Sequence, residues 1–114
     1  MPASRDLLAD LIAFDTTSRE SNLALIDYVR DYLAGYGVSS ELLFNAERSK
    51  ANLYARIGPS GAGGVMLSGH SDVVPIDGQH WTVPAFAMSE RDGRLYGRGT
   101  ADMKGFIACV LAAV

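Results

Sequence analysis

The sequence has one cysteine, no cluster of basic residues and no long apolar run. Because Cys109 cannot form an intrachain disulfide, a disulfide-stapled secreted scaffold is excluded and a cytoplasmic location is expected. Cys109 lies in the apolar run of residues 106–114, so we predict a buried core thiol. No apolar stretch approaches the roughly 20 residues that cross a bilayer, and the N-terminus lacks the pattern of a secretory signal.

Basic residues are few and scattered along the chain. The 114 residues include 10 Lys and Arg against 13 Asp and Glu, a formal net charge of −3. Binding to nucleic acid needs a basic face, so we expect neither a nucleic-acid nor a membrane partner. Hydrophobic residues make up 48% and charged residues 20%, which is typical of a globular domain with a modest core.

Apolar periodicity and turn residues predict an alternating series of elements. The predicted helices cover residues 4–14, with Ser4 as N-cap, and residues 25–36, ended by Gly35 and Gly37, and a third helix begins near Met103. The predicted strands cover residues 38–44, 52–57 and 65–69. A glycine-rich connector is expected at residues 58–64 and a hairpin around Asp92-Gly93. Helices and strands in this order indicate a layered α/β fold. The last helix ends inside its apolar stripe without a cap, so we expect residues 1–114 to be part of a longer protein.

The first candidate site is His70-Ser71-Asp72, directly after the predicted strand of residues 65–69. Residues i and i+2 of an extended chain project to the same side, so Asp72 can accept a hydrogen bond from one ring nitrogen of His70. The other nitrogen is then oriented as in a metal-bound histidine. The ends of strands are also where open α/β sheets bind ligands. For a bare His-x-Asp, a histidine satisfied by its neighbour without a metal is the commoner alternative.

The second candidate site is the segment GRGTADMKG at residues 97–105. Two glycines allow the backbone a tight path close to a ligand. Asp102 lies at the start of the last predicted helix, where it is either a metal ligand or only the N-cap. The segment by itself leaves both roles open.

The two segments together resemble the family of co-catalytic zinc amidohydrolases and carboxypeptidases. Some fifteen positions agree in order and spacing. The motifs are Gly69-His70-Ser71-Asp72-Val73-Val74-Pro75, Trp81, Pro84-x-Phe86, Asp92-Gly93-x-Leu95-Tyr96-Gly97-Arg98-Gly99 and Asp102-x-Lys104-Gly105, with Phe14-Asp15-Thr16-Thr17-Ser18 and Lys50-Ala51-Asn52-Leu53 upstream.

The resemblance implies that the chain is the N-terminal part of a zinc-peptidase-like catalytic domain, about the first third of such a protein. It implies His70 as a ligand of one zinc ion and Asp102 as the carboxylate that bridges two. It implies Asp72 as the catalytic-site carboxylate that orients His70. The peptide bond between Asp102 and Met103 is expected to be cis. The implied cofactor is Zn²⁺, two ions in the complete site, with Co²⁺ as a possible substitute.

The resemblance also implies an activity, the hydrolysis of an N-acyl amino acid. The branch that it favours converts N2-acetylornithine to ornithine and acetate in arginine biosynthesis. Succinyl-diaminopimelate or a dipeptide is the alternative substrate within the family, and a non-catalytic α/β module is the alternative of another class. The general-base glutamate, the remaining ligands and a domain for homodimerisation are implied downstream, so we expect the chain by itself to be inactive.

Overall fold

The computed structural model describes residues 2–61 and 63–114. Within these residues the chain forms a mixture of helices and small antiparallel sheets, the α/β class that the sequence predicts. The elements are α1 (Pro2–Ala13), α2 (Leu23–Gly35), β1 (Ser40–Phe44), β2 (Ala51–Ala55), β3 (Ser89–Arg91), β4 (Arg94–Tyr96) and α3 (Lys104–Ala112). In the part of the chain so described, no helix has both the length and the apolar character to cross a membrane.

The core lies where the three helices meet. Leu11 and Ile12 of α1 are fully buried, and Leu25 of α2 and Leu111 of α3 belong to the same cluster of buried side chains. The hydroxyl of Tyr32 in α2 donates to the carbonyl of Leu111 at 3.1 Å. Each large apolar side chain buried in this way stabilises the fold by about 1.5–3 kcal/mol. The helices therefore form the rigid part on which the loops are held.

The sequence predicts the end of α2 correctly and the start of α1 incorrectly. Tyr36 and Gly37 donate backbone N–H groups to the carbonyls of Leu33 and Ala34, so the predicted stop after α2 is confirmed. The prediction of Ser4 as the N-cap of α1 is wrong, because the helix begins at Pro2 and Ser4 lies in its first turn. Proline suits the start of a helix, where its missing N–H has no partner to lose.

Two antiparallel hairpins confirm two of the three predicted strands and the predicted hairpin around Asp92-Gly93. In the first, β1 pairs with β2 with Leu42 opposite Leu53. In the second, β3 and β4 flank Asp92 and Gly93, which have φ angles of 53° and 70°. Positive φ at both central residues is the requirement of the tight turn that an Asp-Gly pair favours.

The predicted strand at residues 65–69 is not a strand in the structure. Val65, Met66 and Leu67 are 88%, 76% and 59% exposed, although the run was predicted to be buried on both faces. Burial on both faces needs packed neighbours, and none of the described strands pairs with this segment. The connector before it is irregular, as predicted, apart from residue 62, which lies outside the described residues.

The prediction that Cys109 is buried is also wrong, because its side chain is exposed. The buried positions of α3 are Lys104, Ala108 and Leu111, which share one helical face. Cys109 follows Ala108 and is turned away from that face. Apolar composition predicted a buried run here, whereas the helix buries only one side.

Candidate metal-binding site

The side chains of His70 and Asp102 meet although 32 residues separate them. The Nε2 atom of His70 lies 2.9 Å from Oδ1 of Asp102. The backbone N–H of His70 donates to the sulfur of Met103 at 3.3 Å, which holds the two segments together a second time. The peptide bond between Asp102 and Met103 is cis, as the resemblance implied. Met103 is the N-cap residue of α3, so the alternative role of Asp102 as N-cap is excluded.

Asp72 lies on the opposite side of the His70 ring. The Nδ1 atom of His70 is 3.1 Å from the backbone carbonyl of Asp72 and 3.1 Å from its Oδ1. The i, i+2 arrangement predicted from the sequence is therefore present. The imidazole is held between two carboxylates, with Asp72 at Nδ1 and Asp102 at Nε2.

The electrostatics of the cluster follow from these contacts. Burial lowers the pKa of His70, but the hydrogen bonds with Asp72 and Asp102 outweigh it, and the net pKa is raised above the ordinary value. The hydrogen bond from the hydroxyl of Ser18 is the largest cause of the lowered pKa of Asp72, followed by an opposing effect of burial. The side chains of His70, Asp72 and Asp102 are 50%, 53% and 78% exposed, so the cluster is open to solvent.

Residues 14–18, which we call the brace, run beside the segment that follows His70. Thr17 and Val73 form a parallel bridge, in which Val73 donates its N–H to the carbonyl of Thr16 at 3.0 Å. The N–H of Ser18 donates in turn to the carbonyl of Val73 at 3.1 Å. The backbone of the brace therefore holds the residue next to Asp72 in place.

Two hydroxyl groups of the brace also contact this segment. Oγ1 of Thr16 donates to the carbonyl of Ser71 at 2.6 Å. Oγ of Ser18 donates to Oδ2 of Asp72 at 2.6 Å. Asp72 therefore has one carboxylate oxygen toward His70 and the other toward Ser18.

Lys104 connects the brace to the segment that carries Asp102. Its side chain is fully buried, and Nζ donates to the carbonyl of Phe14 at 2.7 Å. Burial lowers the pKa of Lys104 to about 8, against a smaller raising effect of Asp15. The alkyl chain packs beside Gly99, where a Cβ atom would lie 2.9 Å from Val73 and 3.3 Å from Cδ of Lys104. Both candidate segments are thus packed against one another and against the brace.

The loop that follows Asp72 is held by polar contacts of its own. The indole N–H of Trp81 donates to Oε1 of Gln79 at 3.0 Å, and the guanidinium of Arg98 lies 5.1 Å from the Trp81 ring centre and bonds to the same Gln79. These contacts give Arg98 a packing role. The second histidine of the chain, His80, is exposed in this loop.

The donor set fits part of a divalent-cation site. An imidazole nitrogen and a carboxylate oxygen suit Zn²⁺ and Co²⁺, and a carboxylate partner on the far ring nitrogen is usual for metal-bound histidine. Two ligands of one tetrahedral zinc ion lie about 3.3 Å apart, so the 2.9 Å gap between His70 and Asp102 has to open by about 0.4 Å. Among the described residues, no group of three or more His, Cys, Asp or Glu side chains could hold a metal ion. A catalytic zinc site needs about three protein ligands, so further ligands have to come from elsewhere.

Sequence reasoning missed the contacts of Ser18 and Lys104. Both residues lie in motifs that carry the resemblance, but no role followed from their spacing. Ser18 contacts a residue 54 positions away and Lys104 one 90 positions away. The one signal in the sequence was that the brace matches the motifs of the family although it contains no candidate metal ligand.

Comparisons with known proteins show the family of the chain. Residues 66–114, which contain His70, Asp72 and Asp102, match the family described as Peptidase family M20/M25/M40, and the chain belongs to that family. Among its curated relatives are acetylornithine deacetylases. The protein of Myxococcus xanthus is 48% identical over 99% of this chain, and that of Proteus mirabilis (strain HI4320) is 44% identical over 96%. The protein of Pasteurella multocida (strain Pm70) is 40% identical over 100% of the chain. This chain spans 29–31% of the length of these relatives.

Proposed function

We propose that this chain forms part of a metal-dependent hydrolase that converts N2-acetylornithine to ornithine and acetate. The observation that carries the proposal is the imidazole of His70 held between Asp72 and Asp102. The substrate rests on the printed names of the curated relatives, which are acetylornithine deacetylases. We call the protein that contains this chain the parent protein, because the relatives are about three times as long.

Each residue of the cluster has a distinct role in this proposal. Nε2 of His70 and the carboxylate of Asp102 face one another and would hold the cation. Nδ1 of His70 is hydrogen-bonded to the backbone carbonyl of Asp72 and lies equally near its carboxylate, which fixes the tautomer that leaves Nε2 free to bind and makes that nitrogen a stronger donor. The same residues stay half exposed, so a small N-acyl amino acid can reach them from solvent.

The cation in this proposal is Zn²⁺, with two ions in the complete site and Co²⁺ as a substitute. A cation held there would supply Lewis acidity toward the amide carbonyl of the substrate and would make water a better nucleophile at neutral pH. Asp102 is the residue that we expect to contact both ions, and the resemblance to the family supports this arrangement.

The wider biological setting is part of the same proposal. An enzyme that releases ornithine supplies the synthesis of arginine, and we propose a cytoplasmic location for it. We also propose that the parent protein forms a homodimer through residues beyond this chain. The presence of a single cysteine and the use of a small N-acyl amino acid as substrate support the cytoplasmic location.

The test measures metal content and turnover in the purified parent protein. We expect about two zinc ions per chain and release of ornithine from N2-acetylornithine. Replacing His70 with Ala should lower turnover by more than about a hundredfold, because loss of even an outer partner of a metal ligand costs about 10–100-fold. His80→Ala is the matched control, since it removes the other histidine of the chain from an exposed loop. It should leave both readings unchanged.

Three results would count against the proposal in different ways. Turnover of succinyl-diaminopimelate or a dipeptide, with acetylornithine left intact, would contradict the substrate. Equal effects of His70→Ala and His80→Ala would contradict the site. A parent protein that holds no metal ion and cleaves none of these amides would point to the non-catalytic α/β module.

A further inference from the structure

The brace contains no candidate metal ligand, yet it contacts both segments that carry one. On one side, the hydroxyl of Ser18 reaches Asp72, the partner of His70. On the other side, the carbonyl of Phe14 accepts a hydrogen bond from Lys104, two residues after Asp102. We propose that Ser18 is a positioning residue, which sets the affinity of His70 for the metal ion by orienting Asp72. This inference rests on the proposed metal site.

The geometry at Asp72 carries the argument. Its Oδ2 accepts from Ser18 at 2.6 Å, and its Oδ1 lies 3.1 Å from Nδ1 of His70. A carboxylate on a half-exposed side chain can turn freely between these directions if only one oxygen is held. The contact with Ser18 keeps the plane of the carboxylate where Oδ1 faces the imidazole. Because Nδ1 of His70 is also hydrogen-bonded to the backbone carbonyl of Asp72 at 3.1 Å, the hydroxyl of Ser18 governs the carboxylate's share of the contact with the imidazole.

The brace is itself fixed by hydrogen bonds and packing, so Ser18 has a defined position relative to Asp72. Asp15 accepts hydrogen bonds from both the N–H and the hydroxyl of Thr17, at 3.0 and 2.5 Å. The side chain of Lys50 donates to the carbonyl of Ser18. Thr17 is also buried, so the backbone on either side of it is fixed by packing as well as by hydrogen bonds. A hydroxyl mounted on such a segment loses little conformational freedom when it binds Asp72.

The hydroxyl of Ser18 reaches Asp72 from 54 positions away in the sequence, and the same hydroxyl lies 3.4 Å from the carbonyl of Val73. A water molecule can replace the hydroxyl at this exposed position, but it does not fix the direction of the carboxylate. We therefore expect a graded loss of metal affinity on removal of the hydroxyl.

The experiment compares four variants of the parent protein by competition with a chromophoric chelator for Zn²⁺ and Co²⁺. Ser18→Ala should weaken affinity about tenfold, the lower end of the range for residues that support a metal ligand. It should also shift the visible absorption of the Co²⁺-loaded protein, because the ligand field depends on the orientation of the imidazole. Ser18→Thr keeps the hydroxyl and should restore both readings to within about twofold.

Two further variants separate positioning from a general effect on the fold. Thr17→Val removes a buried hydroxyl that binds Asp15 and helps to hold the brace but does not touch Asp72, and it should weaken metal affinity less than Ser18→Ala does. Ser60→Ala removes an exposed hydroxyl in the glycine-rich connector and should change nothing. Thermal unfolding of each variant shows whether the fold is retained.

The outcomes distinguish this inference from the proposed function. If the wild-type protein binds metal and Ser18→Ala binds it equally well, the positioning role is refuted while the site stands. If Thr17→Val weakens binding as much as Ser18→Ala, the brace acts only through the fold, and the inference is again refuted. If the wild-type protein binds no metal at all, the proposed function fails and the positioning role fails with it.

Discussion

A methyl group added at Gly99 should disturb the packing between the two candidate ligand segments. Gly99 has a φ angle of 93°, and a Cβ atom there would lie 2.9 Å from Cγ1 of Val73. Val73 follows Asp72, and Gly99 precedes Asp102 by three residues. Gly99→Ala therefore pushes these two segments apart. We expect it to lower both the stability and the metal affinity of the parent protein.

The expected loss of stability has two causes, backbone strain and overpacking, and a variant at a second glycine separates them. A left-handed backbone costs a non-glycine residue about 1–2 kcal/mol, and overpacking costs about 1–3 kcal/mol more. Gly78 has a φ angle of 72° but nothing within 4 Å of its Cβ position, so Gly78→Ala carries the backbone part alone. The two variants should thus differ in the free energy of unfolding by about 1–3 kcal/mol.

The assay is thermal unfolding of both variants beside the wild-type parent protein. In a domain of 150–250 residues, each kcal/mol lowers the melting temperature by about 2–4 °C. We expect the melting temperature of Gly99→Ala to fall below that of Gly78→Ala by roughly 2–12 °C. Equal melting temperatures would show that the contact between Gly99 and Val73 is not tight and would refute the reasoning.

Three further predictions concern the charged and hydroxyl groups around the site. The depressed pKa of Lys104, about 8 against an ordinary 10.5, means that the unfolded chain binds the proton more tightly. The unfolding free energy should therefore rise by about 3 kcal/mol between pH 8 and 10.5, and urea titrations of Lys104→Met should lack this rise. The raised pKa of His70 stabilises the metal-free fold below the ordinary value of 6.5, and this stabilisation is lost as pH rises through the folded-state pKa. Asp102→Asn should lower the pKa of His70 in an NMR titration, and an unchanged pKa would contradict the contact. Thr16→Val removes the hydroxyl that donates to the carbonyl of Ser71 and should destabilise the fold by about 1–2 kcal/mol in a urea denaturation. A denaturation midpoint equal to that of the wild type would show that water replaces the hydroxyl as the donor.

Local signals predicted local structure well. Gly37 ends α2, and Asp92-Gly93 turns the second hairpin, because each depends on backbone angles that few other residues adopt. The meeting of His70 with Asp102 came from the family resemblance and a geometric expectation, since no local signal joins residues 32 positions apart. The cis bond before Met103 likewise followed from the resemblance.

The failures have a common physical cause. The apolar run at residues 65–69 and the thiol of Cys109 were both predicted to be buried from composition. Burial depends on the neighbouring residues, and Cys109 lies on a face of α3 that the described residues leave exposed. The contacts of Ser18 and Lys104 were missed for the same reason. Each depends on which segments pack together across the fold, and that is decided by the whole chain.

The position of the brace has a practical consequence for anyone who trims this protein. The family match begins at residue 66, whereas the brace ends at residue 18. A gene cut back to the matched region would encode His70, Asp72 and Asp102 intact, yet it would lose the hydroxyl beside Asp72 and the carbonyl that receives Lys104. A boundary drawn around the matched region alone would thus remove the segment that contacts both candidate ligand segments.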